Sequence, residues 1–322
     1  MITRIIKPLL GVLSTGYILF YYSELVFWAR VQPTDTLPNW ISTWLVYSLL
    51  AFVFLTVVAR FRVHTIWALF LAGAVFGWMT EGIVVQTAYE SLPLSLSFTG
   101  LAWHALISVW IGWYAMRRAL FSGLKATLLL SAAIGIGYGL WAISWWVEPG
   151  ETPASPLAFA QYATISTFLL VFAYWLYDRT VPVFFAPNRI AEITVVILFL
   201  LYFAFVAVPA APLAVVILPV LFLLIYLVLR RNRQRESREP LHTCFARTDP
   251  SWRYVGLLLV PVTASLVYAA AYYAGVRWYT NWILYLITTP TGFIVFAFSY
   301  FKVWRMKALE SSGVPPADVS PN

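Results

Sequence analysis

Thiols are nearly absent from this chain. Its 322 residues include one cysteine, Cys244, so neither an intrachain disulfide nor a CxxC metal site can form. Charge is scarce as well. Charged residues make up 11% of the chain, against about 25% in soluble domains, and 61% of residues are hydrophobic. No stretch is long and polar enough to be a soluble domain. There is no P-loop, no GxSxG elbow and no HExxH pattern, which sets aside the nucleotide-binding, serine-hydrolase and zinc-protease signatures. The three histidines, His64, His104 and His242, fall on different sides of the apolar runs, which argues against paired-histidine haem ligation. No lysine lies deep in such a run, which argues against a retinal Schiff base. His242 and Cys244 are two ligands where a zinc site wants three or four. The expectation is no metal and no cofactor.

What the chain has in abundance is apolar runs. A helix needs about 20 apolar residues to cross a bilayer. Ten stretches qualify: 8–29, 40–59, 65–86, 99–116, 126–147, 157–177, 190–208, 212–229, 254–274 and 281–301. The basic start followed by an apolar run is like a signal peptide, but no small-residue cleavage site ends it, so it is expected to be the first span. With these spans, 19 of the 21 Lys and Arg residues fall on one side, and only Arg30 and Arg277 on the other. That asymmetry assigns both termini to the cytoplasm. The predicted fold class is therefore all-α, a polytopic transmembrane helical bundle of about ten spans over residues 1–309. A cytoplasmic basic loop at 230–253 and a disordered tail at 310–322 complete it. The expected location is a prokaryotic cytoplasmic membrane, as an integral multi-pass protein.

The net charge of +8 follows from this sidedness, so nucleic acid is not an expected partner. Membrane lipids are. Arg230, Arg231, Arg233 and Arg235 stand beside a span, where each basic residue attracts anionic headgroups by about 1 kcal/mol. Aromatics crowd the opposite ends of the spans: Trp28, Trp40, Trp44, Trp145, Trp146, Trp278, Tyr279 and Trp282. An interfacial belt accounts for most of them. Asn188 before the seventh span, with Glu192 in its first turns, reads as a helix cap with a favourable dipole contact. Pro209 and Pro212 mark a tight turn between the seventh and eighth spans.

Ionisable residues inside spans are costly and are functional candidates. Glu24, Glu81 and His104 each sit about five residues from the same end of their spans, roughly 7–8 Å below the surface. Gly73, Gly77 and Glu81 are spaced four apart, as are Gly100, His104, Ser108 and Gly112, so each set shares a helix face. Small residues let two membrane helices approach closely. The simplest packing presses the two stripes together and sets Glu81 against His104. These two residues, with Glu24, are the candidate catalytic group, one serving as general acid and the other as base. Trp28, Trp78, Gln86, Glu90 and Trp103 lie at similar depth and are candidate substrate contacts. A buried pair of this kind can also simply tie two helices together.

Three functions fit. The first is a membrane-embedded enzyme or lipid-handling protein acting on an amphipathic or isoprenoid-like molecule. The second is a secondary, proton-coupled transporter of a small molecule, for which sites usually lie nearer the midplane. The third is a scaffold without chemistry of its own, docking through the basic loop.

Overall fold

The computed structural model describes residues 2–148, 152–235, 239–243, 251–278 and 280–306, and among them no strand occurs. Ten helices are long and apolar enough to cross a membrane. They are α1 Ile6–Trp28, α2 Leu37–Arg60, α3 Ile66–Val84, α4 Leu94–Ser122, α5 Leu124–Val147, α6 Pro156–Phe184, α7 Arg189–Ala210, α8 Ala214–Arg233, α9 Trp252–Tyr273 and α10 Trp282–Arg305. The chain is an integral, multi-pass, all-α membrane protein. The tail from 310 onward, Tyr279 and Cys244 lie outside the described residues.

Local chemistry sets where the helices begin and end. Thr36, Thr65 and Ser155 each turn a hydroxyl back onto the backbone N–H three residues on, which satisfies one of the donors a helix start leaves open. Asn188 caps α7 through Ile190 and Ala191, as its position implies. Glu192 does more than meet the helix dipole, because it also accepts from Arg60 of α2 at 2.7 Å. Pro209 lies in the last turn of α7 and not in the connection, since a helix end tolerates proline better than its interior.

Lipid gives helices no hydrophobic reason to associate, so close packing and hydrogen bonds must hold them. α3 is the central helix: 83% of its apolar window is buried, against 11% for α7 and 17% for α10. It packs against α2, α4, α8 and α10, while α1 packs against α2, α4 and α6, and α9 closes on α5 and α6. Glycine makes the central contact possible. A Cβ on Gly77 would stand 2.0 Å from the Gly100 carbonyl oxygen, so the α3 and α4 backbones touch there.

At the basic end of the bundle, Arg117 is fully buried and donates through Nε to Asp178 at 2.8 Å. Tyr254 donates to the other carboxylate oxygen at 2.8 Å, and the guanidinium lies 4.1 Å from the Tyr177 ring centroid. This knot ties α4, α6 and α9 together. Nearby, Leu241 N–H bonds the Val63 carbonyl at 2.7 Å, and Asn232 bonds the Phe61 carbonyl at 3.0 Å. Part of the basic α8–α9 connection is thus fastened to the α2–α3 turn. Arg230 and Arg233 are exposed, as lipid contact requires, while Arg231 stacks on Trp304 at 4.7 Å. The side chain of Arg235 lies outside the described residues.

Candidate functional site

Three helices leave the regular α geometry where they carry ionisable residues. Tyr21–Leu25 of α1, Thr80–Val84 of α3 and Phe98–Met116 of α4 are π-helical. Val26 N–H reaches the Tyr21 carbonyl and Val85 N–H the Thr80 carbonyl, both five residues back. Glu24, Glu81 and His104 all sit in these wide turns. Such turns are uncommon and recur at functional sites. α1 then ends at Ala29 (φ 58°) and α3 at Gln86 (φ 60°), left-handed conformations that residues other than glycine seldom adopt.

Wide turns free backbone carbonyls, and in a membrane those groups need partners. Aromatic donors from other helices supply them along α1. Trp103 donates to the Tyr22 and Ser23 carbonyls at 3.1 Å, Tyr162 to Leu25 at 3.1 Å, and Trp141 and Trp145 to Phe27 at 2.6 and 2.8 Å. The aromatic belt is therefore only partly a belt. Trp145 points inward, Trp146 donates to the Tyr268 hydroxyl, and Trp44 donates to the Leu13 carbonyl. Their indole N–H groups serve neighbouring helices. Trp278 and Trp282 are exposed as a belt requires.

Glu81 and His104 meet. Glu81 Oε1 is 2.6 Å from His104 Nε2, with residue exposures of 7% and 2%. Thr87 donates its hydroxyl to Glu81 Oε2. The other imidazole nitrogen, Nδ1, is 2.9 Å from Ser23 Oγ, which lies 2.9 Å from Ser108 Oγ. The small-residue stripe of α4 divides between two neighbours, however. Gly100 faces α3, but a Cβ on Gly112 would stand 2.4 Å from the Tyr22 ring of α1, and Ser108 meets Ser23 of α1. The π geometry changes the angle per residue, so four-residue spacing does not keep one face along the whole of α4.

Glu24 is set apart from that pair by Tyr47. The Tyr47 hydroxyl donates to Glu24 Oε1 at 2.6 Å, Trp28 Nε1 donates to Oε2 at 3.0 Å, and the Ser23 hydroxyl neighbours the Tyr47 hydroxyl. Two hydrogen-bonded groups thus lie side by side: Glu24 with Tyr47 and Trp28, and Ser23 with His104, Glu81 and Ser108. Tyr47 carries no sequence signal, since it looks like one more aromatic in a span. Ser23 was readable only as the neighbour of Glu24.

Glu24 also lines a pocket of about 360 Å³ with Arg30, Asp35, Trp28, Trp40 and Tyr162. Beside it, an apolar groove of about 690 Å³ lies between α1, α2 and α6. Phe20, Leu25, Trp40 and Tyr162 line both, so the groove and the pocket adjoin. Ile41, Ile165, Leu169 and Phe172 line the groove and are exposed, which places its opening on the outside of the bundle, facing lipid. Neither Glu81 nor His104 lines either space. Of the candidate substrate contacts, Trp28 lines the pocket and Glu90 is exposed. Trp78 and Trp103 are buried with their N–H groups on backbone carbonyls, and Gln86 bonds the Ile83 and Val84 carbonyls at the α3 end. Among the described residues, no cluster of three or more His, Cys, Asp or Glu side chains could hold a metal ion. Compared with protein-family models, curated proteins and solved structures, the chain finds no match.

Proposed function

We propose that this membrane protein takes an amphipathic molecule from the bilayer and acts on its polar end by acid–base chemistry. One observation carries the proposal: an apolar, lipid-facing groove adjoins a pocket that holds a carboxylate, Glu24. An apolar chain in the groove brings a polar end to Glu24. The groove volume falls within the range of about 300–1,000 Å³ usual for small-molecule sites.

Glu24 is the group that meets the ligand. It exchanges a proton with the ligand's polar end, and the neighbouring Tyr47 and Ser23 hydroxyls offer a way on to the imidazole of His104. His104 is held between Ser23 and Glu81, which fixes the ring and offers a second place for the proton. Glu81 and His104 act through Ser23 and Tyr47, and so are positioning residues. A carrier finds less support, because Glu24, Ser23, His104 and Glu81 lie side by side near one end of their helices and not stacked along the bundle.

The test compares lipid extracts and proton movement. Cells carrying Glu24→Gln, with folded protein confirmed in the membrane, are expected to accumulate an amphiphile that the wild type converts. Unchanged extracts, together with Glu24-dependent proton uptake into proteoliposomes, would overturn the enzyme in favour of the carrier.

A further inference from the structure

We infer that the Glu24 pocket takes a positively charged ammonium head, so that the amphiphile is cationic at its polar end. This rests on the groove reading above and adds the class of ligand.

The pocket's walls and floor have complementary chemistry for such a group. Glu24 stands at its inner side and Asp35 at its outer side, against a single basic residue, Arg30. Glu24 accepts from two neutral donors, Tyr47 and Trp28. Among the described residues no Lys, Arg or His forms an ion pair with it. The nearest imidazole, His104, already faces Glu81. A part-buried carboxylate calls for a cation, and among the described residues none pairs with it. Arg30 is held by the Thr152 carbonyl at 3.1 Å and Gln32 Oε1 at 3.2 Å.

Four aromatic residues, Phe20, Trp28, Trp40 and Tyr162, line the same space. Aromatic faces attract ammonium groups, most strongly where water is excluded. The Trp28 ring is also fixed in place. It stacks on Trp145 at 5.1 Å with 24° between planes, and its N–H is committed to Glu24. A rigid indole beside an unpaired carboxylate recognises a cation with little reorganisation. An anionic head would face Glu24 and Asp35 together, and a neutral head would bring neither of them an opposite charge.

The experiment titrates full-length protein in a neutral maltoside detergent with three ten-carbon probes: decyltrimethylammonium, decanol and decyl sulfate. Intrinsic fluorescence, to which Trp28 and Trp40 contribute among 16 tryptophans, follows binding. The ammonium probe is expected to bind about tenfold more tightly than decanol, with decyl sulfate weakest. Glu24→Gln should remove that preference, and Asp35→Asn, in the α1–α2 connection, should reduce it. If decanol or decyl sulfate binds as tightly as the ammonium probe, the cationic head is overturned while the amphiphile groove stands. If none of the three binds, the groove reading falls with it. The comparison of probes on the wild type needs no variant to fold.

Discussion

Glu81 and His104 are brought within 2.6 Å by two helices whose backbones touch one turn away, at Gly77 and Gly100. The contact is therefore a property of the α3–α4 crossing, and it couples the pair's geometry to the packing beneath it.

The two side chains should behave as one unit in unfolding. We expect the double variant Glu81→Gln/His104→Ala to be less unstable than the sum of the singles, with a coupling of about 1 kcal/mol, toward the upper end for membrane hydrogen bonds. Detergent-induced unfolding of all four proteins measures it, and strictly additive losses would show that the pair contributes no mutual stabilisation.

Glycine substitutions should separate close approach from mere helix composition. Gly77→Ala is expected to cost at least about 1–3 kcal/mol, because its methyl group meets a carbonyl oxygen that belongs to backbone. Gly137 on α5 is exposed, and its added Cβ meets nothing within 4 Å, so Gly137→Ala should be neutral or stabilise by up to about 1 kcal/mol. Thermal unfolding in detergent distinguishes the two, and equal effects would contradict the α3–α4 contact.

Two ion pairs at the basic end, Arg117–Asp178 and Arg60–Glu192, should differ sharply. Asp178→Asn leaves buried Arg117 without its counter-charge and is expected to cost about 3–5 kcal/mol. Arg60 and Glu192 are partly exposed, so Glu192→Gln should cost no more than about 1 kcal/mol and respond to salt. Stability at low and high ionic strength tests both.

His242 gives the fold an acid-sensitive point. Burial against Phe185, with a smaller contribution from the Arg117 charge, lowers its pKa from 6.5 to about 4. The folded state therefore holds a neutral imidazole where the unfolded chain takes up a proton. Stability is full above about pH 6.5 and is lost as pH falls toward 4, by on the order of 3 kcal/mol at most. Unfolding midpoints across this window should show the slope, and His242→Gln should flatten it. A slope unaffected by the substitution would assign the acid sensitivity elsewhere.

The ten spans were legible because lipid imposes length and apolarity on every crossing segment, and that constraint is written residue by residue. The meeting of Glu81 with His104 could be read from four-residue spacing plus a short loop. The spacing held only for the turn where α3 faces α4. Farther along, Gly112 turned to Tyr22, because π geometry has no marker in residue type. The groove and the Glu24 pocket could not be read at all. They arise from where α1, α2 and α6 diverge, and the residues that line them, such as Leu13, Ile41 and Ile165, are ordinary span residues. Asp178 drew no notice for a related reason: it stands near a predicted span end, where a charge looks like surface.

The wide turn at Tyr21–Leu25 gives α1 two independent registers. Below it, the helix is keyed to α2 and α6 by one set of faces. Within and above it, Glu24 and Trp28 are aimed by a different angular count. Wound as regular α-helix, the same residues would rotate the upper segment by roughly 100° while the lower segment stayed seated. The aim of the pocket is thus set by the extra residue that the wide turn absorbs, independently of how the lower helix is seated.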